Sequence, residues 1–231
     1  MGKMAAQSGA AKLKDVFSFL EEHGLQKPSR IIQVGASVGQ ELPLFSTHGV
    51  SHLIAIEALE KPFDLLRKNC LDFPQIAILP VNCCVTPKNN QSVRMHVASN
   101  FGQSSSVLKP TRHLDVYPHV NFEKPKETIG FSLDTIVSRA KTFAEPINLN
   151  FDLLFMDVQG FELEVLKGSG SVLSEISTVY TEVTFGTDYS GCAKYTDIIR
   201  FLDARDFKLC ALEIDPRGVN HGNAIFHKVL L

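Results

Sequence analysis

Apolar and polar positions alternate along this chain in blocks that change period. Residues 11–23 place Leu13, Val16, Phe17 and Leu20 on one helical face, with Gly24 to close the helix and Pro28 to end the connection. A short apolar run, Ile31–Val34, then stops at Gly35, and residues 39–48 suit a helix. His52–Glu57 reads as a second strand. Pro62 opens a helix through Cys70, where a proline in the first turn is tolerated. Ile76–Val85 is a third apolar run. Strands alternating with helices predict βαβ units and a parallel sheet.

The rhythm breaks over 86–128. Val93–Ala98 alternates as a half-exposed strand does, and the stretch 109–126 is rich in Pro, His and charge. Loops this long are usually functional or disordered, and this one is expected to lie over the carboxyl ends of the strands. Regularity returns with a helix over 132–141 capped by Ser132, an apolar strand Phe151–Met156, and a helix from Glu162 to Lys167 closed by Gly168. Thr178–Val183 is a fifth strand and 193–204 a further helix. Lys208–Ile214 and Ala224–Val229 are joined by a loop holding Pro216, Gly218, Asn220 and Gly222, which predicts an antiparallel hairpin. Gly168-Ser-Gly170-Ser171 follows a helix rather than a strand, so it reads as a cap and turn and not as a ligand loop. The expected fold is α/β, a sheet of seven mostly parallel strands with a C-terminal antiparallel hairpin, an arrangement that resembles the Rossmann-like class I methyltransferase fold. The expected organisation is an N-terminal tail and helix over 1–28 and one domain over 29–231.

Length and charge narrow the function classes. The chain has 231 residues, enough for one large domain without staples. Lys and Arg number 23 against 25 Asp and Glu, and the basic residues are scattered, which argues against a nucleic-acid partner. The five cysteines are odd in number and form no C-x-x-C, so free thiols in a reducing compartment are expected. No apolar leader and no bilayer-length segment stands out; Ala6 spoils a myristoylation signal after Gly2. The sequon Asn90-Gln91-Ser92 is expected to stay unused in a cytoplasmic protein.

Candidate chemistry gathers at the strand ends. After strand one comes Gln33-Val-Gly35-Ala36-Ser37-Val-Gly39, where glycines let the chain turn sharply and approach a ligand. The next helix N-terminus offers N–H groups to a carboxylate. Glu57, 22 residues beyond Gly35 and at the end of strand two, suits the two hydroxyls of a ribose. An NAD-linked oxidoreductase uses similar geometry but prefers G-x-G-x-x-G, which is missing here. On the reacting side, Asp157 ends strand four, Glu162 opens the following helix and Glu182 ends strand five. Three carboxylates there could hold a base, a substrate hydroxyl or a divalent ion, although no metal site is assigned. His113 and His119 are candidates by location alone. Ser104, Ser105 and Ser106 offer hydroxyls to a ligand.

These residues resemble the FkbM family of S-adenosylmethionine-dependent methyltransferases over about Ile31 to Phe226. The likeness rests on Val34-Gly35-Ala36 with Gly39, Ile56-Glu57-Ala58, Ser104–Ser106 and Ser132-Leu133-Asp134. It also rests on Asp157-Val-Gln-Gly-Phe-Glu162-Leu-Glu-Val-Leu-Lys-Gly168 and Glu182-Val183. The resemblance implies S-adenosyl-L-methionine as cofactor and transfer of its methyl group to a hydroxyl of a sugar or small molecule. With it come expected cofactor contacts at Gln33, Gly35, Ala36, Ser37, Gly39, Glu57, Ala58 and Cys83. Substrate contacts are expected at Ser105 and Ser106, and catalytic roles at Asp157, Glu162 and Glu182. Two positions depart from the pattern. Gln33 stands where motif one usually begins with an acid, and Phe155 where a lysine is frequent. A non-catalytic S-adenosylmethionine-binding module is the remaining alternative.

Overall fold

The computed structural model describes residues 15–143, 150–214 and 220–229. In chain order, the first half holds α1 (Val16–Glu22), β1 (Arg30–Val34), α2 (Leu42–Thr47), β2 (His52–Glu57), α3 (Glu60–Asn69), β3 (Ala77–Asn82), β4 (Cys84–Val85) and β5 (Gln91–Met95). The second half holds α4 (His113–Val116), β6 (Lys126–Phe131), α5 (Leu133–Phe143), β7 (Leu153–Met156), α6 (Glu162–Lys167), α7 (Gly170–Glu175), β8 (Thr178–Thr184), α8 (Tyr195–Asp203), β9 (Phe207–Ile214) and β10 (His221–Lys228). The main sheet has seven strands in the order β3-β2-β1-β7-β8-β10-β9. β3, β2, β1, β7 and β8 run parallel, and β10 lies antiparallel between β8 and β9.

The continuous apolar runs arise because both faces of the central strands are covered. Ile32, Val34, Ile54, Leu154 and Met156 face α5, α6, α7 and α8, with Leu133, Val165, Leu173 and Leu202 across the interface. Ile31, Leu53, Ala55, Leu153 and Phe155 face α1, α2 and α3, where Phe17, Phe45 and Leu66 complete a second core. Phe155 is stacked on Tyr180 at 4.5 Å between ring centres and meets Phe45 edge-on at 5.7 Å. The position that is often lysine in the family therefore fills a core here.

Several expected boundaries shift. The first turn after β1 is longer than anticipated: α2 begins at Leu42 with Glu41 as its cap, so Gly39 stands in the loop with φ +86°. The third apolar run divides. β3 ends at Asn82, Cys83 turns the chain, and β4 enters a second, three-stranded sheet ordered β4-β6-β5. The long break thus contains strands of its own, and β6 was not anticipated. β5 buries Val93 and Met95 and exposes Arg94, as its alternation requires. Gly168 caps α6 as expected, but Gly170 and Ser171 already belong to α7, another element the pattern did not reveal. Leu13 and the tail lie outside the described residues, whereas Val16, Phe17 and Leu20 are buried as expected. Ser132 accepts from the Thr135 N–H at 3.3 Å and caps α5. Among the described residues no helix is long and apolar enough to cross a membrane, and the five cysteines are free thiols.

Candidate active site

A cleft of about 410 Å³ opens at the carboxyl ends of β1, β2, β7 and β8, under the small sheet and the 96–117 stretch. This is where ligands sit in open α/β sheets, because parallel strands deliver their side chains to one edge there. Gly35 sits at its floor with φ +82°, and its N–H donates to the Ile56 carbonyl at 2.9 Å. A Cβ at this position would fall 1.9 Å from the Asp157 carbonyl oxygen. Only glycine permits so close an approach between the β1 and β7 exits.

Glu57, at the tip of β2, is buried. One carboxylate oxygen accepts from Ser37 N–H and the other from Leu59 N–H, each at 2.8 Å. The carboxylate braces the loop after β1 and still presents lone pairs to the cleft. Burial pushes its carboxyl above the ordinary range, and the backbone N–H donors oppose that shift. Ser37, Ala58 and Cys83 also line the cleft, and burial raises the Cys83 thiol.

Three expected cofactor residues lie behind the wall. Ala36 is buried in the core beside α2, and Gly39 stands against Leu42 and Leu66. Gln33 is 1 % exposed, with Oε1 lacking a hydrogen-bond partner and Nε2 donating to Glu41 Oε2 at 2.8 Å. Glu41 does line the cleft. Glu41, eight residues after Gln33, thus brings a carboxylate to the cleft and is held there by the Gln33 amide. The cue available in the sequence was an acidic residue at the end of the same glycine loop.

On the other side, Asp157 is exposed to the cleft, with protein packed densely around its carboxylate. Asp157, Glu162 and Glu182 bring carboxylate oxygens within 4.8 Å of one another. Gln159, in a left-handed conformation at φ +55°, donates to Asp157 at 2.7 Å and to Glu182 at 3.2 Å. Glu162 is 3 % exposed, does not line the cleft, and accepts from the N–H groups of Val158 and Gly160 at 3.1 Å each. It shapes the turn that presents Asp157. Burial raises the Asp157 carboxyl, eased by the Gln159 hydrogen bond, and pushes Glu162 up to about 7. The cluster has the chemistry to take up a proton or to hold a cation.

The serines reach the cleft but are committed to the fold. Ser105 Oγ accepts from Ala98 N–H at 2.9 Å. Ser106 Oγ donates to the Gln159 carbonyl at 2.8 Å and accepts from Leu108 N–H at 3.0 Å. Ser106 ties the overlying segment to the Asp157 turn, and Ser105 braces that segment internally. His113 lines the cleft, whereas His119 does not. Sequence reasoning missed Gln159, which bonds Asp157 two residues away as well as Glu182 and Tyr189, 23 and 30 residues on, and it missed Tyr189 and Glu41.

Comparison with known proteins agrees with this arrangement. The 2-O-methyltransferase NoeI of Sinorhizobium fredii is 32 % identical over 203 residues, covering 84 % of this chain and 78 % of that protein. The magnesium protoporphyrin IX methyltransferase ChlM of Synechocystis PCC 6803 with bound SAH superposes with TM-score 0.52 at 10 % identity, covering 93 % of this chain and 80 % of that one. The same enzyme with bound SAM gives 0.50 at 9 % identity, covering 92 % and 75 %. At such identities the likeness speaks for the fold alone. Residues 33–209 match the methyltransferase FkbM domain, and the chain belongs to the FkbM methyltransferase family.

Proposed function

We propose that this chain is an S-adenosylmethionine-dependent O-methyltransferase whose acceptor is a hydroxyl of a sugar or small molecule. The observation that carries the cofactor reading is the charge of the cleft. Glu41, Glu57, Asp157, Glu182 and Asp188 line it, and no Lys or Arg does among the described residues. A carboxylate-lined cleft with low-dielectric walls favours a sulfonium carrying an ammonium group and opposes the pyrophosphate of NAD. The domain over 29–231 supplies the site, with 86–128 as its cover.

In this reading Glu57 accepts both ribose hydroxyls, Gly35 and Ser37 give backbone access to the methionine end, and Ala58 and Cys83 flank the nucleoside. Glu41, aimed by Gln33, takes the ammonium. The bound cofactor supplies an already activated methyl group, so the protein must mainly place a hydroxyl in line with it. Asp157 is placed to accept the proton of that hydroxyl. Its raised affinity for protons makes it a better base near neutral pH than an ordinary aspartate. Gln159 and Glu162 hold its position, and Glu182 adds negative charge to the same pocket.

Thermal unfolding with S-adenosylmethionine, S-adenosylhomocysteine and NAD in parallel tests the assignment. A ligand at about 100 times its Kd adds roughly 2.7 kcal/mol. For a domain of this size that raises Tm by about 5–11 °C. Shifts with the first two ligands alone are expected. A shift with NAD alone, or with none of the three, rejects the cofactor.

A further inference from the structure

A second set of polar groups closes the cleft beyond Asp157. His113 opens α4 and is 4 % exposed, and its Nδ1 has no hydrogen-bond partner among the described residues. Asp188, in the turn after β8, is 9 % exposed, and its Oδ1 likewise has none among the described residues. Both residues line the cleft. Buried polar atoms are rarely left without partners, so two of them at one place call for an explanation.

The backbone fixes their proximity. The Asp188 carbonyl accepts from Thr111 N–H at 2.9 Å and from His113 N–H at 3.3 Å, and Ser190 N–H donates to the Lys109 carbonyl at 2.8 Å. The imidazole is held by Tyr117, Phe122 and Tyr189, whose ring centres stand 4.9, 5.6 and 5.5 Å away. It is therefore packed against turning to find another partner. The corner is also tied to the reacting carboxylates. The Tyr189 hydroxyl lies 2.8 Å from the Ser104 carbonyl and 3.2 Å from Gln159 Oε1, and the Gln159 amide reaches Asp157 and Glu182.

We propose that His113 and Asp188 form an acceptor subsite for a neutral hydroxyl of a sugar, beside the hydroxyl that is methylated. A hydroxyl is both donor and acceptor. It satisfies the pair at once by donating to Asp188 Oδ1 and accepting from His113 Nδ1–H. Burial holds the imidazole toward its neutral form, although the Asp188 charge opposes this, and the neutral ring can carry its proton on Nδ1. The absence of Lys and Arg from the described lining, with five carboxylates present, makes an anionic acceptor the wrong partner. Aromatic walls at Tyr117 and Tyr189 suit the apolar face of a pyranose ring.

The inference rests on the methyltransferase reading of the cleft, and the test separates the two. Protein saturated with S-adenosylhomocysteine is titrated with methyl glucoside, methyl galactoside, methyl mannoside and methyl glucuronide by saturation-transfer NMR. His113→Phe, which keeps the ring, and Asp188→Asn, which keeps the shape, are titrated alongside. At least one neutral glycoside should bind, with the glucuronide at least tenfold weaker. Each variant should weaken the neutral glycoside at least tenfold, and His113→Phe, which leaves the charge of the cleft intact, should keep its S-adenosylhomocysteine affinity within twofold. Should one variant fail to fold, the other decides. Unchanged glycoside affinity in a folded variant, equal binding of the glucuronide, or no glycoside binding to the wild type overturns the subsite. Failure of the wild type to bind S-adenosylhomocysteine overturns instead the cofactor assignment beneath it.

Discussion

Replacing Glu57 with alanine separates a ligand contact from a structural brace. The carboxylate already accepts two backbone N–H groups, from Ser37 and Leu59. Losing them costs stability whether or not a cofactor ever binds. An unsatisfied N–H at a partly buried site costs about 1–3 kcal/mol, and cleft water can reach Ser37, so the lower half of that range applies. At about 1–2 kcal/mol for each of the two N–H groups and roughly 2–4 °C per kcal/mol, Tm should fall by about 4–16 °C. The ligand contact adds a separate loss. Two ribose hydroxyls bonded to an ionised carboxylate contribute roughly 1.5–3 kcal/mol each. Their removal should weaken S-adenosylhomocysteine roughly 100-fold or more by calorimetry. Both effects are expected together. A lowered Tm with affinity changed by less than tenfold would show that Glu57 only holds the loop, and the assigned pose would fall.

Other expectations follow from single contacts. Glu41→Gln keeps a hydrogen-bonding partner for Gln33 but removes the charge offered to the ammonium, so S-adenosylhomocysteine affinity should drop about tenfold or more; an unchanged Kd would leave position 33 without its substitute. Gly35→Ala puts a methyl 1.9 Å from the Asp157 carbonyl at φ +82° and should cost roughly 3 kcal/mol or more, read from urea unfolding. Gly49→Ala, at φ +72° in open space, should cost only about 1 kcal/mol, and equal losses would contradict the crowding argument. Glu162 titrates at about 7 in the folded protein against an ordinary 4.5, so the folded state binds its proton more tightly. The stabilisation is complete below about pH 4.5 and is lost as pH rises through 7. Between pH 5 and 8 the wild type should lose about 1–3 kcal/mol more than Glu162→Gln, measured as urea midpoints. Parallel pH profiles for the two proteins would remove Glu162 from that account.

The period of apolar residues was enough for the parallel sheet, because strands covered on both faces leave runs such as Leu153–Met156 that no amphipathic surface element produces. The same pattern hid β6. Of its six residues Lys126, Glu127 and Ile129 are exposed, and only Gly130 is buried, so it shows little hydrophobic signal. Its pairing with β4 and β5 becomes visible only when distant segments meet. Likewise α7 begins at Gly170, a poor helix former, and is stabilised from outside: Asp134, 37 residues away, accepts from the N–H groups of Ser171 and Val172.

The site divides along the same line. That Gly35, Glu57 and Asp157 lie at the cleft was legible because each sits at the end of a strand, and strand ends follow from local sequence. Such a position dictates the edge of the sheet that a side chain reaches, whatever folds around it. The tertiary structure alone decided which neighbours each would have. It brought Glu41 to the cleft, held by the Gln33 amide, and buried Glu162 behind Asp157 as its support. It turned Ser105 and Ser106 inward to anchor the cover, and it brought His113 to Asp188. Those assignments depend on hydrogen bonds and burial between segments far apart in the chain. A pattern of period 2 or 3.6 carries no information about such contacts.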